Sequence, residues 1–428
     1  MSLLSQNAAL NSLYTQHIAR LVEEEALPEA RIRESLEAGT MVLLGNPCHT
    51  NVKPILVGQP SRIKVNANLG TSPLCHCLNT ERRKLDAAIE SGADTVMDLS
   101  ISGDLDAIRV EMLAHSPLPV GMVPLYAVAQ RMLDAEEDVA GMNPDELFAE
   151  IEKQAKQGVD FMTVHCGLTR RGADWAAKKE YGLSRAMGIV SRGGSILARW
   201  MLRNNRENPL LEHFDRLIDI ARAYNVTLSL GDGLRPGAGV DAGDSAQWEE
   251  VITLGRLAAR ALEAGVQCMI EGPGHVPMQE VEGQIRGIKR LTNGAPLYVL
   301  GPLVVDSAPG YDHIAGAIGG AIAVRAGVDF LCYLTPAEHL TLPDEPDVRA
   351  GVMASRVAAH AAEVAMGHPA AVRREAAMNA ARKALDWEGM AKAALDPAAL
   401  EKRREPHRNE EVCAMCGKFC AVKMLRDA

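Results

Sequence analysis

Three cysteines near the end of the chain have the spacing of metal-binding thiolates. Cys413, Cys416 and Cys420 form a C-x2-C-x3-C pattern in the segment CAMCGKFC. Thiolates at such spacing hold one iron–sulfur cluster or form part of a zinc site, for which His407 is the nearby candidate fourth ligand. Three cysteines on a 4Fe-4S cluster leave one iron open to a substrate or cofactor. The polar stretch EKRREPHRNEEV before them favours an arm that folds over a catalytic face, although the spacing also allows a small zinc knob.

The other six cysteines do not indicate a disulfide framework, because the total of nine is odd and the N-terminus lacks a secretory signal. Cys75 and Cys77 flank His76 in SPLCHCLN and are predicted to be loop residues, since a fourth metal ligand is missing. Three more lie in apolar runs and are predicted to be small buried hydrophobic residues: Cys166, Cys268 and Cys332.

The composition is that of a large globular protein. The chain has 428 residues, of which 47% are hydrophobic, and a formal net charge of -10. The acidic and basic residues are spread along the chain, which argues against a nucleic-acid or anionic-membrane surface. No apolar run approaches the roughly 18 to 20 residues of a membrane helix. We expect a soluble, cytoplasmic protein without nucleic-acid or membrane partners.

Eight short β-rich segments alternate with helix-like stretches between residues 62 and 340. The segments are IKVNANLG, TVMDLS, VGMVPLY, DFMTVHCG, VTLSLGDGLRPG, VQCMIEGPGHVP, LYVLGPL and DFLCYLTPAEH. Such alternation indicates parallel βαβ units. Eight units predict a (β/α)8 barrel of the TIM type, with a doubly wound open sheet as the alternative. The stretch GIVSRGGSILARWML in the widest gap is predicted to be a ninth strand or a long loop.

The predicted domain organisation of this α/β protein has four parts. A small N-terminal domain covers residues 1–60, and the catalytic barrel covers 61–344. Alanine-rich helical patterns predict a helical segment over 345–396, and a flexible linker with the cysteine-bearing cluster arm follows over 397–428.

Polar residues stand at the ends of the predicted strands, where the loops of a barrel build the active site. A single polar residue there is usually a cap or a turn, but the same pattern at many strands indicates a site. These residues are Asn68, Asp98, Tyr126, His165, Asp232, Arg235, Glu271, His275, Tyr298 and His339. In addition, the glycine-rich turns SRGGS and GDGLRPG combine backbone donors with Arg192 and Arg235, as expected around a phosphate.

Several long motifs occur in order from about residue 60 to 425. They include KVNANLGTS, GADTVMDLS, GIVSRGGS, SLGDGLRPG, CMIEGPGHVPMQ, YVLGPLVVDSAPGYDHI, LTPAEHLTLP and CAMCGKFC. In these motifs the chain resembles the phosphomethylpyrimidine synthase family of radical S-adenosylmethionine (SAM) enzymes. Members use aminoimidazole ribotide. One branch rearranges it into the thiamin pyrimidine phosphate, and the paralogous 5-hydroxybenzimidazole synthases convert it, with release of formate, into the lower-ligand precursor of cobamides such as vitamin B12.

Some residues depart from the pattern of the thiamin enzymes. The C-x2-C-x3-C motif is one residue shorter than their C-x2-C-x4-C motif. Four further departures, at Ala127, Val305, Ser307 and Thr341, are predicted to cluster near the substrate pocket. Such changes favour a changed product over a changed cofactor. The main prediction is therefore a 5-hydroxybenzimidazole synthase, and the alternative is a phosphomethylpyrimidine synthase.

The resemblance also implies the cofactors and the site. The three terminal cysteines would hold a 4Fe-4S cluster that binds SAM, and Glu271 would be catalytic. His275 and His339 match ligands of a divalent metal, zinc or iron, and His313 stays open as a third contributor. The implied substrate-binding residues are Asn68, Met97, Tyr126, His165, Ser191, Arg192, Gly193, Asp232, Gly233, Leu234, Arg235, Glu271 and Tyr298.

The implied partners are an electron donor such as flavodoxin or ferredoxin and a second copy of the chain. In that homodimer the cluster arm would cover the active site of the other subunit. Two other functions remain open from the residues alone. A zinc-dependent lyase or aldolase would use His275, His339 and Glu271, and a noncatalytic iron–sulfur or zinc module would leave the strand ends inert.

Overall fold

The computed structural model describes residues 2–75, 77–177 and 185–426. It divides into two compact units, Met1–Ala359 and His360–Ala428. His76, which lies between the two cysteines of SPLCHCLN, is outside the described residues.

The first unit begins with three helices and a two-stranded antiparallel hairpin. These are α1 (Leu3–Gln6), α2 (Ala8–Glu25), α3 (Glu29–Glu37), β1 (Val42–Leu44) and β2 (Ile55–Val57). Gln267 lies just before the eighth strand of the chain. Its side-chain Oε1 accepts the Leu43 N–H at 2.7 Å, and its Nε2 donates to the Leu43 carbonyl oxygen at 3.0 Å. Asp160, just before another strand, accepts the Asn46 N–H at 2.7 Å. The hairpin is therefore anchored at the amino-terminal ends of barrel strands.

Eight parallel strands follow and close into a barrel in which the last strand pairs with the first. All eight predicted segments are strands, so the predicted barrel is confirmed and the open sheet is excluded. The strands are β3 (Lys64–Leu69), β4 (Thr95–Asp98), β5 (Val120–Met122), β6 (Phe161–Val164), β7 (Thr227–Leu230), β8 (Cys268–Gly272), β9 (Leu297–Leu300) and β10 (Phe330–Cys332).

Helices connect the strands and cover the outside of the barrel. Local signals account for their ends. In one of them the Asn143 side chain caps the first turn, Pro144 is the first residue, and Gly158 ends the helix at a φ of 106°. The helices are α4 (Leu78–Glu90), α5 (Leu105–His115), α6 (Pro124–Asp134), α7 (Pro144–Gln157), α8 (Arg170–Ala177), α9 (Arg192–Asn204), α10 (Pro209–Glu212), α11 (Phe214–Tyr224), α12 (Ser245–Glu263), α13 (Val281–Leu291), α14 (Asp312–Ala326) and α15 (Glu345–Ala365).

The stretch GIVSRGGSILARWML forms helix α9, so its prediction as a ninth strand or a long loop is wrong. The Ser191 side chain accepts the Gly194 N–H and starts the helix. Leu197, Trp200 and Met201 then form a buried face at helical spacing. Two adjacent glycines are typical of a loop, and they led to the wrong prediction. The helix is indicated by the apolar residues at helical spacing that follow them.

The second unit is helical and contains the end of α15. Its other helices are α16 (Pro369–Ala384), α17 (Trp387–Ala393), α18 (Pro397–Arg404) and α19 (Ala421–Arg426). The Arg404 guanidinium lies 3.9 Å from the centre of the Trp387 ring, which joins α18 to α17. Among the helices that the structure describes, none has the length and apolar character needed to cross a membrane.

Candidate active site

The carboxyl ends of the barrel strands surround a cavity of about 100 Å³ that is lined by both polar and apolar side chains. Eight of the residues implied as substrate-binding line it, although they come from separate strands and loops. They are Asn68, Met97, Tyr126, His165, Asp232, Arg235, Glu271 and Tyr298. Asp98 does not line this cavity: its carboxylate accepts the Ser100 N–H at 2.9 Å, which is the structural role of a turn.

The remaining implied substrate-binding residues lie beside the cavity. The Arg192 guanidinium carbon lies 4.8 Å from the centre of the ring of Tyr126, which lines the cavity. Arg192 also lines a second cavity that shares Asn68 with the first. The other four lie in the same two glycine-rich segments and are absent from the described lining of the central cavity: Ser191, Gly193, Gly233 and Leu234.

Glu271, near the end of β8, accepts two hydrogen bonds from neighbouring strands. Thr163 and Ser229 are paired in the register of β6 and β7, and the hydroxyl of each donates to Glu271 Oε1 at 2.7 Å. Loss of water contact inside the cavity raises the pKa of Glu271, and the two hydroxyls oppose that change. Thr163 and Ser229 were not predicted as site residues. Their positions in two neighbouring predicted strands are the sequence feature that could have indicated them.

Asp232 and Arg235 form an ion pair at 3.0 Å in the turn after β7. Burial raises the pKa of Asp232 to about 8, and the Glu271 carboxylate acts in the same direction, against the effect of Arg235. Arg235 therefore pairs directly with Asp232, and its charge also acts on the nearby Glu271 in a poorly hydrated site. Arg235 is therefore expected to bind a further anion only when one of these two carboxyl groups is protonated and neutral.

His165, after β6, is buried and has no hydrogen-bond partner at Nδ1 among the described residues. Burial, with a smaller effect from Arg235, lowers the pKa of His165 to about 3. The imidazole is therefore neutral at physiological pH. A Cβ atom on Gly193 would overlap the imidazole ring, so this glycine lets α9 approach the site closely.

Cys332, the last residue of β10, also lines the cavity. It is buried, as predicted, but the prediction of a merely hydrophobic residue is wrong. Its Sγ lies 3.0 Å from Asn68 Nδ2, and Tyr298 is a second hydrogen-bonding neighbour. Burial raises the pKa of the Cys332 thiol to about 12, so the thiol is protonated. Its position at the carboxyl end of a predicted strand could have indicated that it lines the site.

The departures at Ala127, Val305 and Ser307 were predicted to cluster near the substrate pocket, and none of them is among the described residues that line it. Ala127 is buried on α6 one position after Tyr126, so its side chain points about 100° away around the helix. Val305 and Ser307 are exposed in the loop after β9. Thr341 lines the second cavity together with Asn68 and Arg192, so it does lie near residues implied as substrate-binding.

His275 and His339 lie side by side, with ring centres 5.4 Å apart. Nδ1 of His275 contacts Asp306 at 2.8 Å, and Nδ1 of His339 contacts Asp312 at 3.1 Å. A carboxylate at Nδ1 orients the ring and leaves Nε2 as the nitrogen for a metal. The pair thus fits a metal that takes two protein ligands. Within the described part of the chain, no three His, Cys, Asp or Glu side chains form a metal-binding group, so His313 does not complete one.

The three cysteines of the second unit are free thiols. The backbone N–H groups of Met415 and Cys416 lower the pKa of Cys413, which favours the thiolate that an iron–sulfur cluster needs. Their chemistry therefore fits such a cluster. The described thiols are not gathered into a group of three, so cluster binding would require them to move together.

A closed (β/α)8 barrel with ionisable side chains around a cavity at the carboxyl ends of its strands is the arrangement of barrel enzymes. The sequence comparisons give the family. The sequence model of the radical SAM ThiC family matches residues 5–427, and the chain belongs to this family. It is a radical SAM enzyme, and membership implies an iron–sulfur cluster and SAM.

Curated relatives match nearly the whole chain. A phosphomethylpyrimidine synthase from Thermoanaerobacter sp. (strain X514) is 49% identical over 421 residues. Proteins of the same name from Desulforudis audaxviator and Geobacter metallireducens are 49% identical over 423 and 426 residues. Each match covers 98% of this chain and 96% of the relative. These names support the alternative prediction of the sequence analysis and give no support to the 5-hydroxybenzimidazole branch.

Proposed function

We propose that the chain converts aminoimidazole ribotide into the phosphorylated pyrimidine of thiamin, as a phosphomethylpyrimidine synthase. The observation that carries this proposal is the 49% identity to proteins of that name over 98% of the chain. The positions of Ala127, Val305 and Ser307 add support, because residues outside the cavity lining give little reason for a changed product.

The substrate's phosphate is assigned to the two arginines. Arg235 lines the cavity, and Arg192 lies over the ring of Tyr126, which also lines it. Guanidinium groups bind phosphate through charge-assisted hydrogen bonds. The raised pKa of Asp232, which burial causes, supports this assignment, because protonation of Asp232 would release Arg235 from the ion pair to bind the phosphate.

The remaining polar groups orient the aminoimidazole and the ribose. Neutral His165 offers one donor and one acceptor, and Asn68 and Tyr298 add hydrogen-bonding groups on the other side of the barrel. Glu271 is held by Thr163 and Ser229 in a single orientation. These side chains hold the substrate in place during rearrangement, which is the protein's main contribution to such a reaction.

The cofactors belong to the same proposal. When bound to Cys413, Cys416 and Cys420, a 4Fe-4S cluster with SAM supplies the 5'-deoxyadenosyl radical that begins the reaction. A divalent metal, zinc or iron, would be held by His275 and His339. A flavodoxin or ferredoxin as the electron donor, and a homodimer, complete the proposal.

Product analysis tests this function. The anaerobically reconstituted protein is incubated with aminoimidazole ribotide, SAM and dithionite, and the products are identified by mass. We expect a pyrimidine monophosphate together with 5'-deoxyadenosine, and neither from the Cys416→Ala variant. A benzimidazole without phosphate as the main product would overturn the proposal in favour of the paralogous branch.

A further inference from the structure

Two glycine-rich segments meet by direct backbone contact beside the cavity. We call residues 191–194 the SRGG segment and residues 231–235 the GDGLR segment. A Cβ atom on Gly194 would overlap the carbonyl group of Gly233, so the two backbones touch where only glycine fits. Arg192 and Arg235, the two arginines assigned to the phosphate, lie one on each segment. Their relative position therefore depends on what holds the segments together.

Arg185 binds the GDGLR segment from behind. Its side chain is only 2% exposed, and its Nη2 donates to the Leu234 carbonyl oxygen at 2.6 Å. Its Nη1 lies 3.3 Å from the carbonyl oxygens of Arg235 and Gly188. Asp244 balances the charge through two hydrogen bonds of 2.7 and 2.8 Å. One buried guanidinium thus joins the chain that leads into the SRGG segment to the backbone of the GDGLR segment.

Glu250, on α12, holds the backbone of the same residue, Leu234, from its amino-terminal side. Its Oε2 accepts the Leu234 N–H at 2.7 Å, and its side chain is buried. Its Oε1 has no hydrogen-bond partner among the described residues. Burial raises the pKa of Glu250 well above its ordinary value, and the hydrogen bond from the Leu234 N–H opposes that change. Leu234 is therefore held at its N–H by Glu250 and at its carbonyl oxygen by Arg185.

Neither Arg185 nor Glu250 is among the described residues that line the cavity. Both end on the backbone of Leu234, which stands directly before Arg235 in the chain. Displacement of the Leu234 backbone would move the Arg235 guanidinium relative to Arg192. A shift of about 1 Å in a binding group is enough to weaken its interaction strongly.

We propose that Arg185 and Glu250 are positioning residues for phosphate recognition, which hold the Leu234 backbone so that Arg235 and Arg192 bind one phosphate group. Because the phosphate belongs to aminoimidazole ribotide, this proposal rests on the proposed function.

The test compares two ligands that differ only in the phosphate. Binding of aminoimidazole ribotide and of aminoimidazole riboside to the reconstituted protein is measured by calorimetry. We expect Arg185→Lys and Glu250→Ala each to weaken ribotide binding by about 10-fold or more, and riboside binding by less than about 3-fold. Glu250→Gln should keep the wild-type preference for the phosphate, since its amide oxygen can still accept the Leu234 N–H.

Arg199→Lys is the matched control, because Arg199 lies on α9 but is exposed and pairs with Asp138. It should leave both affinities unchanged. Equal losses for the two ligands in Arg185→Lys and Glu250→Ala would show a general structural role and overturn the proposal, as would unchanged ribotide affinity. If Arg185→Lys does not fold, the comparison of Glu250→Ala with Glu250→Gln decides.

Failure of the proposed function would leave the positioning role testable. If the product is a benzimidazole, the substrate is still aminoimidazole ribotide and the binding test stands unchanged. If the wild-type protein binds neither aminoimidazole compound, inorganic phosphate becomes the probe. The positioning role then still requires weaker phosphate binding by Glu250→Ala than by Glu250→Gln, and equal binding would overturn it.

Discussion

The close approach of α9 to the cavity makes Gly193→Ala a sharp perturbation. The added Cβ atom would overlap the His165 ring, with ring Nε2 only 2.8 Å away. Either the ring moves into the cavity or the helix moves outward. Overpacking of a buried site costs about 1 to 3 kcal/mol, while alanine in place of glycine contributes up to about 1 kcal/mol to helix stability. We therefore expect a net loss of about 0.5 to 2 kcal/mol in the free energy of unfolding.

Gly283→Ala provides the matched control for this variant. Gly283 also lies in the first turn of its helix, α13, and a Cβ atom there would have no neighbour within 4 Å. This substitution should stabilise the protein by up to about 1 kcal/mol. Urea denaturation of both variants gives the comparison, and calorimetry with aminoimidazole ribotide should show at least about 10-fold weaker binding for Gly193→Ala alone.

The double variant Gly193→Ala/His165→Ala checks the cause. If the overlap with the ring is responsible, the alanine at position 193 should cost less when His165 is already truncated, so the two effects should not add. Equal stability and equal ribotide binding of Gly193→Ala and Gly283→Ala would show that a Cβ atom at position 193 does not strain the site. Additive effects in the double variant would show that the cost of Gly193→Ala does not come from overlap with the His165 ring.

Three further predictions concern charge and the cluster. Because burial and Arg235 lower the pKa of His165 to about 3, folding stability is retained above the unfolded-state pKa and lost as pH falls. Between about pH 6.5 and 4.5 the wild-type protein should lose about 2 kcal/mol more than His165→Gln in urea denaturation, and equal losses would contradict the assignment. Arg235→Ala should weaken ribotide binding in calorimetry by about 1.5 to 3 kcal/mol, and an unchanged affinity would move the phosphate to Arg192 alone. Cys416→Ala should retain the barrel's circular dichroism but form no 5'-deoxyadenosine in a chromatographic assay, and cleavage of SAM at the wild-type rate would disprove the role of this cysteine.

The barrel strands could be recognised from the sequence because each carries a local signal. A segment such as DFMTVHCG is apolar along its length and ends in polar residues, as expected for a strand buried on both faces. The helix caps are equally local, as at Asn143 and Gly158. The polar residues at the strand ends followed from the same pattern, since parallel strands in a barrel bring their carboxyl ends together.

The tertiary structure decided which of those residues share the cavity and what supports them. In the sequence, Cys332 cannot be distinguished from other buried cysteines. Closure of the barrel places it against Asn68, which is 264 positions away in the chain. Arg185 and Glu250 lie in no recognisable sequence motif. Their role depends on the fold, which brings both side chains to the backbone of Leu234. The side-chain periodicity of a strand or helix is a property of neighbouring residues. Contacts between distant residues depend on strand register and loop path, which only the complete barrel determines.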